Sequence, residues 1–169
     1  MSVEVASDTR SQVRLTELYV RHGPAAQRLA FLLTGDGARA EDLVQEAFVR
    51  VVGRFGHLRV PDAFEGYLRR TIVNLHISGL RRKRLERAWL ERERGGPAPA
   101  MDAMPDVGAR EELWRAVLEL PARQRAAIVL RFYEDLSERE TAEVLRCSPA
   151  AAKSLVARAM ENPASPHRE

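Results

Sequence analysis

At 169 residues with 45% hydrophobic content, the chain has material for one ordinary domain or two small ones. A formal charge of +3 and a sequence pI near 9.5 favour an acidic partner such as nucleic acid over a neutral surface. A lone cysteine, Cys147, excludes an internal disulfide; with no signal-like N-terminus and no apolar run near the ~18 residues that span a bilayer, a cytoplasmic protein without membrane insertion is expected.

The polar residues 1–10 are expected to be disordered. Leu15, Leu18 and Tyr19, then Ala26, Leu29, Ala30, Leu32 and Leu33, recur at helical spacing, and Gly23-Pro24 should kink or divide that segment. Thr34-Gly35-Asp36-Gly37 ends it. A second helix is predicted over 38–55, with Glu41 and Asp42 in its first turns, where the macrodipole favours acids. Leu43, Val44, Ala47, Phe48, Val51 and Val52 form its apolar stripe. Its other side, Asp42, Gln45, Glu46 and Val49, is a polar face broken by one aliphatic residue. Such a face is either ordinary solvated surface or a dock for a basic partner.

Gly56 to Asp62 reads as a short loop carrying His57 and Arg59, with Asp62 as the N-cap of a third helix. In that helix Phe64, Tyr67, Leu68, Thr71, Ile72 and Leu75 recur at steps of three and four, the spacing of a face laid on a core, with Arg69 and Arg70 directed away. The pattern then changes to four consecutive cations, Arg81, Arg82, Lys83 and Arg84. Between Arg69 and Arg94 there are nine Lys and Arg against three Glu, so the positive charge is concentrated here. Asn74 and Ser78, four apart with His76 nearby, precede the run; small polar groups there could read base edges while the arginines hold phosphates.

Residues 95–108, GGPAPAMDAMPDVG, have linker composition and mark the expected domain boundary. Trp89 and Trp114 flank it and read as packing residues. Leu113, Trp114, Val117, Leu118 and Leu120 predict an amphipathic helix stopped by Pro121, and a further helix is expected over 122–133 with Ala126, Ile128, Val129, Leu130 and Phe132 apolar. Ser137-Glu138-Arg139-Glu140 has the form of a capping box opening a short helix to Leu145. Arg146-Cys147-Ser148-Pro149 is a turn, with Ser148 as N-cap and Pro149 as first residue of a last helix to about Met160. Two short capped helices across a tight turn predict a helix-turn-helix, with Ala142, Leu145, Ala152 and Val156 packed between them and Pro149, Ala150, Lys153, Ser154 and Arg158 facing outward. No strand signal occurs, so the expected fold is all-α: two small helical domains joined by a flexible linker, the second a helix-turn-helix.

In this order the segments resemble the bacterial RNA polymerase sigma factors of the extracytoplasmic-function (ECF) class. DLVQEAF, Asp42 to Phe48, looks like that family's segment for the polymerase clamp helices; the resemblance implies Asp42, Gln45, Glu46 and Phe48 as core polymerase contacts. Phe64 to Arg84 looks like the element that melts the −10 promoter hexamer. The resemblance implies a base pocket near the 56–62 loop and Asn74, with His57, Arg59, Arg69, Arg70, Asn74, Ser78, Arg81, Arg82, Lys83 and Arg84 on DNA. Leu120 to Ser148 looks like the fourth region, the reader of the −35 hexamer, implying Arg139, Ser148, Lys153, Ser154 and Arg158 as contacts. The implied domains are 11–94 and 109–161, with a tail at 162–169. The implied partners are core RNA polymerase, promoter DNA and an anti-sigma factor.

The recognition helix departs from the family pattern. Where a threonine, valine, lysine, serine and arginine commonly follow one another, this chain has Ala151-Ala152-Lys153-Ser154-Leu155, and Arg146 replaces a usual turn glycine. Weaker reading of the distant hexamer is expected. Four scattered histidines, no Cys/His pair at metal spacing and no nucleophile triad or phosphate loop predict a protein that is no enzyme and holds no metal or cofactor. A stand-alone helix-turn-helix regulator, or a sigma-like protein that binds polymerase without initiating, is the alternative.

Overall fold

The computed structural model describes residues 2–55, 61–94 and 108–161, and every regular element among them is helical. The elements are α1 (Ser2–Thr34), α2 (Gly37–Phe55), α3 (Pro61–Arg94), α4 (Gly108–Glu119), α5 (Ala122–Ile128), a wide π-helical turn (Val129–Tyr133), α6 (Glu138–Leu145) and α7 (Pro149–Glu161). Two compact units are formed, Met1–Leu75 and His76–Glu169. The division falls inside α3. Phe64, Leu68, Ile72 and Val73 of α3 are buried, but from Ile77 to Trp89 none of the described side chains is. The loop residues 56–60, the linker residues 95–107 and the tail 162–169 lie outside the described residues.

In the first unit, Leu29, Ala30 and Leu33 of α1 and Ala40, Val44, Ala47 and Val51 of α2 are buried. Phe48 lies in an aromatic cluster, its ring 5.0 Å from Tyr19 and 5.8 Å from Phe64, and His22 stacks 5.1 Å from Phe64. Offset or tilted aromatic pairs at these distances add to the area they bury. Thr34 donates to the Ala30 carbonyl at 2.8 Å, Gly35 takes φ 70°, and the Asp36 carboxylate accepts from the Arg39 amide at 3.1 Å, which closes α1 and caps α2.

Three expectations are corrected here. The first ten residues are helical from Ser2, and α1 continues through Gly23-Pro24 instead of dividing. A helix already nucleated downstream propagates through polar sequence, and one proline removes a single intrahelical bond. Asp62 lies inside the first turn of α3, because Pro61, with no amide hydrogen to leave unsatisfied, takes the first helical position.

In the second unit, Leu118, Leu120, Ala126, Ala127, Leu130, Ala142, Leu145 and Ala152 are buried. The expected helix over 122–133 ends as α5 at Ile128 and widens into the π turn, where the Glu134 amide donates to the Val129 carbonyl at 3.0 Å. The extra residue in this turn puts Phe132 and Tyr133 on the surface, so Phe132 does not join the core as its spacing suggested. Arginines secure the ends of elements: Arg123 donates to the Leu145 carbonyl at 3.0 Å, Arg131 to Leu136, and Arg125 to Leu118 and Leu120. Burial pushes the Arg125 guanidinium below its ordinary pKa.

Candidate nucleic-acid interface

The helix-turn-helix is built as its caps predict. The Ser137 hydroxyl accepts from the Glu140 amide at 3.2 Å while the Glu140 carboxylate accepts from the Ser137 amide at 2.8 Å, a reciprocal box that fixes the start of α6. Arg146 turns the chain in the left-handed conformation, φ 53° and ψ 53°, where its Cβ is disfavoured. Its neighbour Cys147 donates its amide to the Ala142 carbonyl at 3.0 Å, and the Ser148 hydroxyl accepts from the Ala151 amide at 3.1 Å to cap α7. Lys153, Ser154 and Arg158 are exposed on α7 with Pro149 and Ala150. Arg139 is exposed on α6 and reaches Glu143 at 3.7 Å.

The departures of the recognition helix have a structural counterpart. Ala152 is buried against the core, and Ala151 and Leu155 are half-buried. The two positions where the family pattern puts a hydroxyl and a guanidinium therefore carry apolar groups that partly pack.

On α3 the predicted DNA residues divide by environment. In the first unit, Arg69 and Arg70 are half-buried rather than free on the outer face; Arg69 pairs with Glu65 at 2.9 Å. Asn74 is half-buried and donates its amide to the Arg70 carbonyl at 2.7 Å. In the second unit His76 is buried, whereas Ser78, Arg81, Arg82 and Lys83 are exposed. Arg82 approaches Glu86 at 3.7 Å, a solvated pair of small energy. His57 and Arg59 lie outside the described residues, as does the Arg84 side chain.

On α2, Asp42, Gln45 and Glu46 are exposed as expected, with Gln45 donating to Glu41 at 3.4 Å and Glu46 pairing with Arg50 at 2.7 Å. Phe48 is the exception: only 4% exposed, it belongs to the aromatic core and is not available to a partner. The apolar group on this face is Val49, 73% exposed. Trp89 is likewise corrected: 64% exposed, it is not a packing residue. Among the described residues no cluster of His, Cys, Asp and Glu could hold a metal, and no helix is long and apolar enough to cross a membrane.

A helical unit with an exposed acidic face and a second one carrying both a cationic rod and a capped helix-turn-helix define a transcription-type, DNA-handling protein. Two family models match: sigma-70 region 2 over residues 18–86, and sigma-70 region 4 over residues 110–162. The chain is 34% identical over 146 residues to the RNA polymerase sigma-E factor of Streptomyces coelicolor, covering 85% of this chain and 81% of that one. It is 30% identical over 160 residues to the ECF RNA polymerase sigma factor SigM of Mycobacterium tuberculosis, covering 94% and 78%. The fold is similar to that of the sigma factor RpoE, solved with the anti-sigma factor NepR from Bartonella quintana, with a TM-score of 0.68, 22% identity and coverage of 86% and 91%. The chain belongs to the sigma-70 family, in its ECF class of RNA polymerase sigma factors.

Proposed function

We propose that this sigma factor binds core RNA polymerase through the α2 face of Asp42, Gln45 and Glu46, with Val49 as its apolar contact, and opens the −10 promoter element along α3. Arg81, Arg82 and Lys83 hold backbone phosphates; on the family pattern alone, Arg84 and Arg59 are assigned there too and His57 to base contact. Asn74 and Ser78 face bases, while Arg69 and Arg70, half-buried, position α3 and reach the backbone from its flank. Arg139, Ser148, Lys153, Ser154 and Arg158 meet the −35 duplex. The functional domains are taken as 11–94 and 109–161 around the 95–108 linker, the site of action as the cytoplasm, and an anti-sigma protein as a further partner, of the kind that RpoE has in NepR. The role is regulatory, with no catalytic chemistry of its own.

One observation carries the reading: past His76, α3 buries no described side chain and exposes three successive cations. A rod of this kind is well formed to grip a polyanion, and melting DNA needs a grip on the freed strand to offset lost stacking. The test is run-off transcription with purified core polymerase on genomic fragments. Promoter-specific transcripts are expected. Core binding without transcripts would overturn initiation, and duplex binding that needs no polymerase would point to a stand-alone regulator.

A further inference from the structure

Among its described residues, the end of α3 carries two large apolar side chains that no packing requirement explains. Leu85 and Trp89 are each 64% exposed. At about 100° per residue, Ser78, Arg81, Arg82, Leu85 and Trp89 fall within one arc of about 100°, so they share a face of the helix. Leu85 and Trp89, four apart, are adjacent on it. Around them stand Arg81 and Arg82, with Lys83 on the neighbouring face, and Glu86 is the one acid between His76 and Trp89.

We infer that this face is a stacking site for an unpaired DNA base: the indole of Trp89, backed by the Leu85 side chain, receives the base while Arg81 and Arg82 hold the flanking phosphates. The inference rests on the proposed role of α3 in strand opening and adds to it a contact beyond the cationic run. Charge selects the occupant. A second copy of the chain would bring its own guanidinium groups against these, and like charges oppose that association. An interfacial membrane helix needs a broad apolar face, and among the described residues this face has two. A single strand matches both the cations and the isolated aromatic platform, because any base offers a π-face and its phosphates offer the charge. A closed duplex would satisfy the arginines and leave Trp89 without a role.

The experiment uses the full chain carrying Trp114→Phe, which leaves Trp89 as the only tryptophan. A labelled single-stranded oligonucleotide is titrated, with its anisotropy and the indole fluorescence followed together. Quenching should saturate in step with binding; Trp89→Ala should weaken binding about tenfold with an unchanged salt slope, and Trp89→Phe should recover most of it. Arg81→Ala with Arg82→Ala should instead flatten the salt slope. Binding that Trp89→Ala leaves unchanged, with no quenching, overturns the stacking site; if the arginine pair still flattens the slope, the phosphate role of α3 stands. If the arginine pair also has no effect, that wider reading fails as well. Equal quenching by duplex DNA, or quenching by anionic phospholipid vesicles and not by DNA, likewise overturns it, as does a chain that does not bind the strand.

Discussion

The two helices of this sigma factor proposed to face DNA, α3 and α7, are built on different balances. From Ser78 to Trp89, α3 buries none of its described side chains and exposes Arg81, Arg82 and Lys83 in succession. By contrast α7 buries Ala152 and Ala159, half-buries Ala151 and Leu155, and leaves Lys153, Ser154 and Arg158 exposed. Phosphate contacts supply affinity without sequence information, and base-edge contacts supply discrimination. From this difference we propose that promoter engagement leans on strand capture, with a thin reader of the distant hexamer.

The largest expected effect sits on α3. Changing Arg81, Arg82 and Lys83 together to alanine should lower open-complex formation roughly 30-fold near physiological salt and reduce the salt slope by about three, as read by permanganate footprinting across a salt series. Unchanged opening would remove one side of the comparison. Next, Ala151→Thr with Leu155→Arg should raise discrimination for the −35 hexamer over a scrambled one by about tenfold, the value of one good base contact. No gain would mean that the apolar residues of α7 are not what limits it.

Arg146→Gly tests the turn between α6 and α7. Relief of the left-handed conformation should stabilise the second unit by about 1 kcal/mol in thermal unfolding. A loss of stability would show that the arginine side chain holds the turn through contacts of its own. The smallest effect is assigned to Lys153→Ala, about threefold on a −35 duplex by competition binding. A loss of thirtyfold or more would make α7 the dominant reader and invert the comparison.

How far the sequence reached can be followed residue by residue. The helix-turn-helix was legible because its signals are local: Ser137 and Glu140, or Ser148 and Pro149, are a few residues apart and satisfy amides in their own turn. Val49 stood out as an aliphatic break in a polar face. Phe48 stood in the apolar stripe that periodicity gave α2, and there the structure buries it against Tyr19 and Phe64; the DLVQEAF resemblance alone made it a polymerase contact. Trp89 failed in the opposite direction: tryptophan is usually buried, and only the end of packing along α3 leaves it outside. The π turn at Val129–Tyr133 was also unreadable, since its apolar spacing suits an ordinary helix until the chain must reach Leu136.

Helical content, the caps, the concentrated cations and the family were thus written in near-neighbour order, where periodicity and short-range hydrogen bonds act. Where α3 stops being packed among its described residues, and how the rings of Tyr19, Phe48 and Phe64 close on one another, depend on contacts between residues far apart in the chain. Periodicity marks an apolar face, as it did on α2, and only those contacts decide how deeply each residue along it is buried.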